Sequence, residues 1–372
     1  MAAAAMATTL IDGSMLEGGG QILRNSISLS ALLGRPITIH KIRNARRPPG
    51  LKNQHRTGLC PIICFQARLE PAPGLELAAE ICSARLTGAT TGSVTVDFIP
   101  GRINLPGNYK ADSITAGSTT LLLQVALPIL LFSPSPVSPS VLTLLGGTNA
   151  SQAPQIDYTQ HVFLPFMKRH FGLEGVQLDI QKRGYYPKGG GEVRVAVTPF
   201  YAQGAGGPSS GKRLKGMRLL ERGRVKHVGG IAHFAGLPTK VGREMVSGAK
   251  RALGDLKLLN GVDEDGEVPI AIEYQREKNE VTKGAGSGIV LWAELEGGGY
   301  IGGSAVGQRG SDAATVGEAA AQELLRGLSA GGCVDEVWLH LGSSMCLLIC
   351  IVLSGYKTRL SSSWPWLRVS RY

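Results

Sequence analysis

Four short stretches carry residue types suited to phosphate chemistry. In residues 12–24, DGSMLEGGGQILR, three consecutive glycines precede a helical pattern. Glycines at a helix start let backbone N–H groups approach an anion closely. Glu17 and Arg24 bracket that turn, where they could meet a metal and a phosphate. In residues 41–55, KIRNARRPPGLKNQH, Arg43, Arg46 and Arg47 follow a strand pattern, and Pro48-Pro49-Gly50 forces a turn. Arginine presents a planar fork of donors that matches phosphate. Gln54 and His55 come next, where a new helix is expected. A lone histidine is more often structural than chemical, but this cationic setting makes phosphate binding an equal reading. Residues 144–158, LLGGTNASQAPQIDY, place a Gly-Gly-Thr-Asn turn after a strand and let Asp157 and Tyr158 open a helix. Residues 183–193, RGYYPKGGGEV, run from a glycine triplet into a strand, with Lys188 within reach of a phosphate. None of these is a G-x-x-x-x-G-K-[ST] loop, and GAGSG at 284–288 precedes a strand rather than opening a helix.

Charge supports the same chemistry. The 372 residues carry 39 Lys and Arg against 28 Asp and Glu, a net +11. From Gly18 to Leu69 there is no acidic residue, while Arg24, Arg35, Lys41, Arg43, Arg46, Arg47, Lys52, Arg56 and Arg68 all fall there. Such a window points to phosphate or nucleic acid, the alternative being a solvated basic face. An apolar content of 43% with 18% charged residues excludes a disordered chain. Cys60, Cys64, Cys82, Cys333, Cys346 and Cys350 form no zinc pattern, and the start MAAAAMATTL lacks the charged region of a secretory leader. Buried thiols in a reducing compartment are expected. Leu121–Phe132 and Met345–Leu353 are apolar but fall short of the ~20 residues that span a bilayer, so no membrane is expected.

The elements that must position these stretches alternate between helix and strand, which implies an α/β or α+β architecture. Helical patterns with small or Gly-rich starts recur after Gly19, after Gly117 and around Gly317, and the second interval is about twice the first. That spacing suggests three units of about 100 residues with an insert before the third. ITIHKIR, SVTVDFI, EVRVAVTPF, IAIEY and IVLWAELEGG read as strands. The expected organisation is an extension over 1–9, two repeats over 10–202, an insert over 203–305, the start of a third repeat over 306–336, and a tail over 337–372. The tail holds no Asp or Glu and shows neither helical nor strand periodicity, so its local choices do not agree on one fold.

Taken in order, EGGGQILR, the Arg-rich segment with PGL and QH, GGTNASQAPQIDY and RGYYPKGGGEV resemble the RNA 3'-terminal phosphate cyclase family over residues 10–336. A sister branch of non-catalytic ribosome-assembly proteins departs at Gly-Gly-Gly-Gln and Tyr-Tyr-Pro-Lys, which this chain keeps. The resemblance implies an α+β fold of three repeats, each similar to the C-terminal domain of a bacterial translation initiation factor, with a smaller α/β insert. It also implies an ATP-dependent ligase. A histidine attacks the α-phosphate of ATP, AMP passes from that histidine to the RNA 3'-phosphate, and the 2'-hydroxyl displaces it to leave a 2',3'-cyclic phosphate. Gln124 and Pro154 match family positions that contact ATP. Glu17, Arg24, Arg43, Arg46, Gln54 and His55 match polar positions around the cleft that holds the RNA phosphate, a divalent metal (Mg or Mn) or the ATP phosphates. RNA 3'-phosphate ends are the implied partner. The implied location is the nucleus in a eukaryote and the cytoplasm otherwise.

The chain departs from the family after Glu336. Where the family continues with Tyr and then an Asp-Gln pair, this chain has Val337, His340 and Leu341. No counterpart of the nucleophilic histidine stands further on, and His340 does not stand in that motif. The expected catalytic set is therefore empty and the third repeat incomplete. The reading is a cyclase with impaired activity, the alternative a non-catalytic RNA-end-binding or ribosome-biogenesis protein.

Overall fold

The structure is a computed structural model that describes residues 7–15, 20–45, 47, 49–51, 72–113, 116–133, 138–150, 153–200, 219, 221–255, 268–278, 281–342 and 345. It divides into two compact units. One comprises Met1–Ile156, Leu173–Lys212 and Glu277–Gly286, the other Asp157–Gly172, Arg213–Arg276 and Ser287–Tyr372.

The first unit is built from one pattern used twice. β1 (Thr9–Asp12), α1 (Gly20–Leu33), β2 (Ile37–His40), α2 (Pro73–Ile81), β3 (Arg85–Thr87) and β4 (Val96–Ile99) form a sheet of order β1-β2-β4-β3. β5 (Asn108–Asp112), α3 (Thr119–Phe132), β6 (Ser140–Gly146), β7 (Val176–Lys182) and β8 (Gly191–Val197) form a sheet of order β5-β6-β8-β7. In both, the first two strands are parallel and the last two close an antiparallel edge. A parallel pair needs a crossover, and α1 and α3 supply it. α3 is apolar on nearly every face because it is buried on nearly every face, from Leu122 to Phe132. Cys82, fully buried at the end of α2, has its thiol pushed up to about 11 by burial. Alkylation of the native protein near pH 8 is expected to leave Cys82 unlabelled, and denaturation to expose it; mass spectrometry of the Cys82 peptide checks this.

The second unit carries a third four-stranded sheet. β9 (Val225–Ala235), β10 (Ile270–Arg276), β11 (Gly286–Leu295) and β12 (Tyr300–Val306) stand in the order β10-β9-β11-β12. The α+β class agrees with the sequence reading, and this third sheet is wired differently from the first two. α6 (Thr239–Ala252) and α7 (Ala313–Ser329) bury Met245, Ala249, Ala320, Ala321, Leu324 and Leu328 against Phe234, Ile289, Leu291 and Ile301. α7 begins with a cap: the Asp312 carboxylate accepts from Thr315 N–H at 3.1 Å. The two helices approach so closely that a Cβ on Gly317 would collide with the Met245 carbonyl. Gly317→Ala is expected to cost about 1–3 kcal/mol through overpacking, read as a fall in the urea midpoint. α4 (Ile156–Tyr158), a π-turn (Thr159–Phe163) and α5 (Leu164–Phe171) link β6 to β7, and all but Ile156 group with the second unit.

Only the start of the tail, 337–342 and 345, falls among the described residues. Residues 336–342 are helical. Trp338, Leu341 and Met345 are buried, and the Trp338 ring sits 4.6 Å from Phe166 and 6.4 Å from Phe163. One large aromatic finding an aromatic pocket supplies order that no periodicity announced. The segments 201–218 and 256–267 lie outside the described residues, as do 346–372. No helix among the described residues is long and apolar enough to cross a membrane.

Candidate functional site

The glycine-led start of α1 and the middle of α3 meet at one hydrogen bond. Arg24, one turn into α1, donates Nε to Gln124 Oε1 at 2.6 Å across 100 residues of sequence. α1 is held on α3 by Ser28, whose hydroxyl donates to the Val125 carbonyl at 2.8 Å. Gln124 is buried, so its amide does not wander, and it aims the guanidinium. Burial brings the Arg24 guanidinium down to about 10, which leaves it a cation at neutral pH. A Cβ on Gly20 would stand 2.7 Å from Arg24 Nη1, so the missing side chain leaves that donor its space at the helix start. A fixed cation at the N-terminal turn of a helix, where the macrodipole is positive, suits a phosphate.

The third and fourth stretches are tied together by their backbones. Thr148 N–H and Asn149 N–H both donate to the Gly184 carbonyl, at 2.9 and 3.3 Å. Gly184 N–H donates back to Thr148 Oγ1 at 3.0 Å. Asn149 Nδ2 donates to Gln155 Oε1 at 2.8 Å, and Ile156 N–H donates to the Thr148 carbonyl. This network fixes the turn that presents Pro154, which is half-buried. Beneath the fourth stretch, buried Arg183 donates Nε to Glu277 Oε1 at 2.6 Å. Arg183→Ala is expected to destabilise the chain by about 3–5 kcal/mol, because it leaves Glu277 without its ion-pair partner; thermal unfolding checks this.

Arg24 and Gln124 come together. Arg43 sits, half-buried and with a φ of 55°, in the turn after β2 that Gly50 N–H closes on the Ile42 carbonyl. Glu17, Arg46, Gln54 and His55 lie outside the described residues. Among the described residues, no group of three or more His, Cys, Asp or Glu could hold a metal ion.

Sequence reasoning missed a polar cluster in the core of the second unit. Asp335 accepts from Tyr158 OH at 2.6 Å, from Gly302 N–H at 2.5 Å and from Trp338 N–H at 2.8 Å. Burial raises the Asp335 carboxyl above its ordinary range despite those donors, and burial with Asp335 alongside raises the Tyr158 phenol. His233 Nε2 lies 3.7 Å from Asp157 Oδ2, both fully buried. The Ile-Asp-Tyr at the end of the third stretch was the available signal, but its partners are far along the chain. Directly after Asp335, Val337 is half-buried, His340 exposed and Leu341 buried.

The family model for RNA 3'-terminal phosphate cyclase matches residues 15–63 and 69–363. The chain belongs to the RNA 3'-terminal phosphate cyclase family. Relatives bearing that name include one from Pyrobaculum aerophilum, 38% identical over 353 residues, which covers 95% of this chain and 87% of the relative. One from Pyrococcus furiosus is 38% identical over 354 residues, covering 95% and 88%. One from Staphylothermus marinus is 37% identical over 335 residues, covering 90% and 82%. The cyclase-family match does not stop at Glu336 but runs on to 363. These cyclase relatives are archaeal, from cells without a nucleus, and lend the nuclear expectation no support.

Proposed function

We propose that the chain binds RNA 3'-phosphate ends together with ATP, and that adenylyl transfer, the chemical core of the family reaction, is impaired in it. In that reaction a histidine nitrogen attacks the α-phosphorus of ATP and pyrophosphate leaves. An oxygen of the RNA 3'-phosphate then displaces the histidine and takes AMP. The 2'-oxygen attacks the 3'-phosphorus, gives up its proton, and AMP leaves. The observation that carries the binding half is the Arg24–Gln124 bond at the start of α1. There a cation is pre-aimed at the positive end of a helix, so phosphate needs little reorganisation to bind. Pro154, on its fixed turn, is the proposed wall for the adenine, and Arg43 a further phosphate donor. Glu17, Arg46, Gln54 and His55 complete the set by resemblance. A divalent metal, Mg or Mn, would neutralise phosphate charge with Glu17 as its acidic ligand.

Support for impairment comes from the positions after Asp335. Val337, His340 and Leu341 replace the aromatic ring, the carboxylate and the amide that the family resemblance implies, and Leu341 turns into the core instead. Full-length protein incubated with α-labelled ATP and Mg²⁺ or Mn²⁺ is expected to carry no acid-labile label after denaturation. A labelled band that disappears in His340→Ala would overturn the impairment and restore a complete cyclase.

A further inference from the structure

The RGYYPKGGG turn carries a feature that the Arg24–Gln124 site does not use. Gly189 N–H donates to the Tyr185 carbonyl at 2.8 Å and closes the turn. The segment 283–286 lies flat over it, so close that a Cβ on Gly286 would enter the Tyr185 ring. Two lysine stems then cross between the two segments. The Lys188 stem covers Gly284, where a Cβ would stand 2.8 Å from Lys188 Cδ. The Lys283 stem covers Gly190, where a Cβ would stand 2.7 Å from Lys283 Cγ, with Cδ closer still. Gly190 also has a φ of 76°, which disfavours any other residue. Each glycine therefore seats the lysine of the opposite segment.

Seated stems leave the charged heads in water, and both lysines are exposed. The nearby carboxylates are engaged elsewhere: Glu277 accepts from Arg183 at 2.6 Å and Glu192 from Lys182 at 3.0 Å. Among the described residues, no carboxylate pairs with Lys188 or Lys283. Like charges brought near one another repel, and an anion between them lowers the energy. Beside them the Tyr186 ring is 38% exposed, a large aromatic in water. Neighbouring cations and a partly exposed aromatic ring are the two components of a single-strand platform, one for the backbone and one for a base.

We infer that Lys188 and Lys283 hold the phosphodiester backbone of the RNA upstream of its 3' end, with Tyr186 stacking on a base. The inference rests on the RNA-end reading above and adds where the body of the strand lies. It predicts a dependence on strand length that a terminal-phosphate site would not show.

The test uses purified full-length protein and two single-stranded RNA probes, both ending in a 3'-phosphate: a trinucleotide and a strand of about 12 nucleotides, within the ~4–16 that one such platform covers. Affinity is measured against salt for the unsubstituted protein, Lys188→Gln, Lys283→Gln and the two Lys→Arg variants. On the longer strand, each Gln variant is expected to lower the slope of log affinity against log salt by about 0.7, the value for one phosphate contact on a single strand. The Arg variants should keep the slope, and the trinucleotide should bind all five proteins alike. Equal losses on both probes would place the lysines at the terminal phosphate and overturn the inference. An unchanged slope on the longer strand would overturn it too, with the RNA-end reading intact. Should the unsubstituted protein bind neither probe, that reading fails and this inference with it.

Discussion

Asp335→Ala is expected to lower folding stability by about 3–5 kcal/mol, since each of three buried donors left without an acceptor costs ~1–3 kcal/mol. The donors are Tyr158 OH, Gly302 N–H and Trp338 N–H, drawn from three separated parts of the second unit. Water cannot replace the carboxylate where Tyr158 and Trp338 are 1% and 3% exposed. The effect has a pH signature. Burial raises the folded Asp335 pKa above the ordinary 3.8. The folded state therefore holds the proton more tightly than the unfolded state, and the contribution from that shift is complete below 3.8 and fades as pH rises through the folded value. The stability gap between the unsubstituted chain and Asp335→Ala should narrow as pH is raised from about 4. Urea midpoints over that range check it, and a gap that widens would show the carboxylate to be stabilised rather than strained by burial.

The second large effect falls on binding. Arg24→Met keeps an apolar stem and removes the cation, so affinity for ATP and for a 3'-phosphate end should drop about 10- to 100-fold, the worth of a charge-assisted hydrogen bond. Gln124→Ala leaves the cation but not its aim, and a smaller loss is expected, without a change in net charge. Arg24→Lys should not rescue, because an ammonium cannot both bond Gln124 and present a planar fork. Isothermal titration with ATP separates the three. Equal affinities across them would remove Arg24 from the phosphate site.

The legible parts of this chain were those in which local pattern and local role coincide. α1, α3 and α7 follow glycine-marked starts with helical periodicity, and β2, β4, β8, β10 and β11 alternate or run apolar as strands do. The link between Arg24 and Gln124 was legible only as shared family positions; the 2.6 Å bond depends on two helices packing. β1 was not legible because it has four residues, one of them the exposed Leu10. The order β10-β9-β11-β12 was not legible either, since pairing partners are set by tertiary contacts and not by alternation. Tyr158 and Asp335 are 177 positions apart, and nothing local in either announces the other. The described helical residues 336–342 cover under two turns, too few for a period to show, and Trp338 packs against Phe166 there.

The most direct test of the account compares one RNA strand in two forms, ending in a 3'-phosphate or in a 3'-hydroxyl, bound to the full-length chain at fixed salt. The account predicts at least about tenfold tighter binding of the phosphate form, the worth of one charge-assisted contact, and loss of that preference in Arg24→Met. Equal binding of both forms by the unsubstituted chain would contradict it, and would reduce the acid-free window and the glycine-led helix start to a general basic surface.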